Sequence, residues 1–105
     1  MNLTILDQAK QDLVDGFRFY EIQGVGVGDY FLDSAYAEID SLVIHAGIHR
    51  VVAGFHRLLV RRFPFAIYYV IESDTVMVWA VVDCRRKPSF VKSKLTPKRR
   101  RGISS

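Results

Sequence analysis

The stretch RRFPFAIYYVIE, residues 61–72, decides the fold. It sets two adjacent arginines and a proline ahead of a run of large apolar side chains. The β-branched and aromatic residues from Phe65 to Ile71 suit a pleated, buried strand. Pro64 has no N–H to give to a ladder and belongs in the turn before that strand. On either side, residues 55–62 and 75–84 are equally rich in Val, Ile, Leu, Phe and Tyr. The links to them are so short that only antiparallel hairpins fit. Ser73-Asp74 is the expected second turn, and RRFPFAIYYVIE the central or near-central strand.

Upstream, NLTIL at residues 2–6 reads as a first strand, and Asp7 offers a carboxylate to cap a helix start. Leu13, Phe17 and Tyr20 recur on one helical face and predict a helix over 8–23. GVGVGD interrupts the pattern at residues 24–29. Leu32, Ala35, Ile39 and Leu42 then form a second stripe, predicting a helix over 28–46 that Gly47 ends. The expected order is β-α-α-β-β-β, an α+β fold with a two-helix hairpin on one face of a mainly antiparallel sheet.

At 105 residues, half of them hydrophobic and a quarter charged, the chain is long enough for one domain with its own core. Its one cysteine, Cys84, excludes an internal disulfide. MNLTILDQAK lacks the basic start and long apolar stretch of a signal peptide, so a reducing, cytoplasmic setting is expected. The apolar run Val76 to Val82 is far shorter than the ~20 residues of a membrane-spanning helix, and no membrane partner is expected. Charge is unevenly spread. Residues 1–84 carry 11 acidic and 6 basic side chains, a balance of −5, whereas from Arg85 onward nine basic residues meet no acidic one. A domain over 1–90 and a basic, flexible tail over 91–105 follow, the tail suited to weak, non-specific contact with nucleic acid.

Several residues invite a chemical reading. His45 and His49 are four apart, but Gly47 between them ends the helix and no carboxylate completes a metal site. GVGVGD lacks the glycine that a phosphate-binding fingerprint needs where Asp29 stands, and reads as a helix-helix turn. Cys84 has no evident base and reads as a partly buried thiol at a strand end. Trp79, Tyr68 and Tyr69 could stack on bases, yet strand alternation assigns at least half of them to the core. Neither a metal nor another cofactor is expected. The arginine pairs are different. Strands ending at Arg61-Arg62 and Arg85-Arg86 run parallel, so both pairs are expected at one end of the sheet, where guanidinium forks suit carboxylates and phosphates.

The ordered set AKQDLVDGFRFYE, GVGVGDYFLDSAYAEIDSL and RRFPFAIYYVIESDTVMVWAVVDCRRKP resembles the RelE/ParE superfamily of type II toxins, within it the ParE-like, plasmid-stabilisation branch. The resemblance covers residues 1 to about 88. It implies a small twisted sheet backed by the helix hairpin, and a cognate antitoxin, ParD-like or similar, that wraps the toxin. RelE-like members cut messenger RNA on the ribosome, whereas ParE-like members poison DNA gyrase. For the RelE-like chemistry the candidates are His56, Arg57, Arg61, Arg62, Arg85 and Arg86. Ala66 stands where that branch places a catalytic arginine, and KPSFVKSK after Arg86 holds no tyrosine or histidine. The ParE-like reading, inhibition by binding rather than catalysis, therefore leads, with Arg61, Arg62, Arg85 and Arg86 as partner-binding residues. The RelE-like endoribonuclease is the alternative, and an inactive relative that only holds an antitoxin is the third.

Overall fold

The computed structural model describes residues 1–96. A short strand β1 (Asn2–Ile5) leads into a helix hairpin, α1 (Asp7–Gln23) and α2 (Val27–His45). Four strands follow, β2 (Val51–Val52), β3 (Phe55–Leu59), β4 (Phe65–Glu72) and β5 (Thr75–Asp83), and then a short helix α3 (Pro88–Leu95). The sheet order is β1-β5-β4-β3-β2, which makes RRFPFAIYYVIE's strand the middle one of five. All neighbours are antiparallel except β1, which runs parallel to β5 in the register Asn2 opposite Thr75.

Alternation along the strands builds two apolar layers. Leu58, Ile67, Tyr69, Val76, Val78 and Val81 face the hairpin and meet Leu13, Phe31, Ile39 and Leu42. Phe55, Ala66, Tyr68, Ala80 and Val82 form the opposite face, on which Leu95 of α3 is buried. Between Tyr68 and Tyr69 the β4–β5 register slips: Tyr68 lies opposite Ala80 but Tyr69 opposite Val78. Trp79 is the extra residue, and a bulge there puts Trp79 and Ala80 on the same face.

The hairpin turn works through glycine and one carboxylate. Gly26 adopts φ 89°, the left-handed region open to glycine. Glu21 accepts the N–H of Gly26 at 3.0 Å and that of Gly28 at 2.9 Å, closing free donors at the start of α2. GVGVGD is thus a helix-helix turn. Gly47, at φ 97°, follows the end of α2 as expected. Ser73, at φ 55°, makes the β4–β5 turn with Asp74.

Four details depart from the sequence reading. Asp7 lies inside α1; Leu6 precedes the helix and gives no side-chain cap. The strand expected over 55–62 stops at Leu59, and Arg62 turns at φ 71°, so Arg61 and Arg62 occupy a turn rather than a strand end. Cys84 is exposed, because the chain leaves the sheet after Asp83. Finally, α3 runs across the boundary expected at residue 90, drawn onto the sheet by Leu95, Phe90 and Val91. The rest of the expected tail, from Pro97 onward, lies outside the described residues. Among the described residues no helix is long and apolar enough to cross a membrane.

Candidate functional site

The β3–β4 turn and the segment after β5 sit side by side, since the Cys84 N–H donates to the Pro64 carbonyl at 2.7 Å. Both arginine pairs therefore lie at one end of the sheet, as antiparallel pairing requires. Their side chains diverge. Arg62 donates to the Tyr30 hydroxyl at 2.7 Å, and Arg61, largely exposed, reaches Glu38 at 4.0 Å. Arg85 grips Asp83 with two bonds, Nε at 3.0 Å and Nη2 at 2.7 Å. That fork holds the Asp83 carboxyl below its usual range, with burial opposing. Arg86 lies over the Phe90 ring, 3.5 Å from its centre.

An aromatic cluster separates the two pairs on the hairpin side. The Phe63 ring lies 4.8 Å from that of Tyr20, 5.3 Å from Tyr30 and 5.4 Å from Phe31. Arg62 meets this cluster through Tyr30, and the Arg85 charge acts on Tyr20, whose hydroxyl pKa is pushed up chiefly by burial. The result is an apolar end wall carrying guanidinium groups on both flanks.

The other face carries Arg57. It sits opposite Tyr68 on β4 and donates from Nε to the Tyr68 hydroxyl at 3.2 Å, with Nη2 3.5 Å from Cys84 Sγ. Burial is the largest single influence and works against its charge, but the bond to Tyr68 together with the charges of Tyr68 and Cys84 outweighs it, and the pKa is raised. Arg57 and Arg86 line one cavity beneath α3. His56 is elsewhere. As the next residue along β3 it faces the hairpin, stacked on Tyr69 with ring centres 4.9 Å apart. Its Nδ1 lies 2.9 Å from the His49 carbonyl, which it meets as a donor. His49 Nδ1 in turn lies 2.6 Å from the Tyr69 hydroxyl, which also accepts the Gly47 N–H at 2.9 Å. The six residues named for RNA chemistry therefore do not share one site: His56 is on one face, Arg57 on the other. His45 and His49 gather no metal set, and no group of three candidate ligands occurs among the described residues. Tyr68 and Tyr69 are both core, and Trp79 is half-buried.

One set of residues escaped the sequence reading. β1 covers β5 only as far as Val78. Beyond it, α1 supplies side chains where a strand is missing: Gln8 donates to the Trp79 carbonyl at 3.0 Å, and Asp12 accepts the Val81 N–H at 2.9 Å. Asp12 also holds Lys94 of α3 at 2.6 Å, and Gln8 reaches the Lys94 carbonyl at 3.1 Å. The available signal was Asp12 one position from the apolar stripe of α1, where a carboxylate reaches the sheet.

By sequence, no family model matches the chain, and no curated protein matches it. By structure, it is similar to a chain of the chromosomal ParDE toxin-antitoxin system from P. aeruginosa. The TM-score is 0.71 at 19% identity, over 79% of this chain and 95% of that one. The architecture is the one the resemblance implied, the ParE/RelE-like fold.

Proposed function

We propose that the chain is the toxin of a type II toxin-antitoxin pair, of the ParE kind, which arrests growth by binding DNA gyrase in the cytoplasm and is neutralised by a ParD-like antitoxin. The observation that carries this is the fold match, which takes in 95% of a chain from a ParDE system. The site supports binding more than catalysis. Cleavage of RNA through its 2′-hydroxyl needs an acid, a base and cations around one phosphate. Here the cations are divided between two faces, Ala66 is a buried alanine, and residues 87–96 contain no tyrosine or histidine. Arg61, Arg62, Arg85 and Arg86 are the groups proposed to hold carboxylates of the partner.

One observation favours the second reading, a RelE-like ribosome-dependent endoribonuclease: Arg57 and Arg86 share a cavity with the Tyr68 side chain. Controlled expression in a bacterial host separates the readings. Growth arrest with intact transcripts, relieved by the neighbouring antitoxin, is the expected outcome. Codon-register cuts by primer extension would move the assignment to the ribosome, and undisturbed growth would leave only an inactive antitoxin holder.

A further inference from the structure

The cavity beneath α3 encloses about 300 Å³. Its walls are mostly apolar, formed by Val52, Val82, Pro88, Val91 and Leu95. Arg57, Arg86 and Lys92 add three cations to this lining. The ion pairs among the described residues are Arg61–Glu38, Arg85–Asp83 and Lys94–Asp12, so none of the three has a carboxylate partner there. Asp83 also lines the cavity, but Arg85 already binds both its oxygens. Arg57 is held in place by Tyr68 and Cys84, and among the described residues its further N–H donors have no partner. A fixed guanidinium beside two more cations, over an apolar floor, suits a ligand that carries an anion next to an apolar group.

A nucleotide would bring a phosphate for the cations, but its base would find one aromatic side chain, Tyr68, in a lining that is otherwise aliphatic where it is apolar. A peptide with an aliphatic residue next to an acidic one brings both the anion and an aliphatic group. We propose that this cavity is the anchor point for the protein partner: an aliphatic side chain of the partner enters beneath α3, and a neighbouring Asp or Glu carboxylate is held by Arg57, Arg86 and Lys92. The proposal rests on the reading of the chain as a toxin held by an antitoxin, and names where that partner docks.

The test is a titration of the ¹⁵N-labelled full chain with the peptide acetyl-Leu-Glu-Asp-Leu-amide. The neutral analogue acetyl-Leu-Gln-Asn-Leu-amide and a uridine hexanucleotide serve as comparisons. Amide shifts confined to residues 52–57 and 82–92, absent with the neutral peptide and weakened at least about tenfold in Arg86→Glu, are expected. Lys92→Glu, at an exposed position of α3, repeats the charge reversal where Arg86→Glu disturbs the Phe90 stacking. No shift at these residues, equal shifts with the neutral peptide, or occupation by the hexanucleotide instead would overturn the site. If the site fails in this way while growth arrest and antitoxin rescue persist, the toxin reading stands without it.

Discussion

Asp12 shows how one side chain can join three elements. It is 9% exposed and ties α1 to β5 through the Val81 N–H and to α3 through Lys94. Burial pushes its carboxyl pKa up, while the bonds from Lys94 and Val81 pull it back. Removing the carboxylate in Asp12→Ala strands a buried N–H and a half-buried ammonium, which costs about 1–3 kcal/mol. Denaturant unfolding should register that loss, and Asp12→Asn, which keeps an acceptor for Val81, should lose less; an Asp12→Ala as stable as the parent would contradict the assignment. His49 gives the pH counterpart. Burial, and next the charge of His56, lower its pKa from 6.5. The neutral ring accepts the Tyr69 hydroxyl proton, so the stability it contributes is complete above 6.5 and is lost as pH falls through the lowered value. Comparing unfolding free energies of the parent and His49→Gln between about pH 8 and 5 isolates this group: the parent should fall more steeply at the acid end, and parallel curves would rule the coupling out.

At the scale of elements, the close approach of α1 and α2 depends on Gly28. A Cβ there would lie 2.7 Å from the Phe17 carbonyl oxygen and 2.7 Å from its Cδ1. Helix propensity alone favours Gly28→Ala by roughly 0.5–1 kcal/mol, yet the contact with backbone admits no local relief. The substitution should therefore lower the unfolding midpoint, with an expected net loss of about 1–3 kcal/mol, whereas a gain in stability would show that the helices can move apart freely. The hairpin and the three long strands were legible because their periods, 3.6 and 2, run through Leu13, Phe17, Tyr20 and through Phe65 to Ile71. β2 was not, since two residues, Val51 and Val52, carry no period. Nor was α3: its second half, VKSKL from residue 91, reads as basic tail, and its helical state depends on Leu95 meeting a sheet face that exists only after β3, β4 and β5 have paired. The position of the arginine pairs at one sheet end followed from strand direction alone. The direction of each guanidinium did not, because Tyr30, Glu38, Asp83 and Phe90, which aim them, come from different parts of the chain.

For the whole molecule, the separation of charge is the feature with functional consequence. An acidic body carries cations at one sheet end and on α3, which favours association with acidic surfaces at low salt and weakens it as salt rises. On the proposed reading, Arg85→Ala combined with Arg86→Ala relieves growth arrest at equal expression, with the fold retained by circular dichroism, since neither guanidinium belongs to the core. Undiminished arrest would place the contact surface elsewhere. The gyrase assignment has its own direct measurement, a supercoiling and DNA-cleavage assay with purified gyrase, ATP and the folded chain, with and without the antitoxin. The account predicts trapped, cleaved DNA that disappears when antitoxin is added. Gyrase left unaffected by a folded chain that still arrests growth would contradict it.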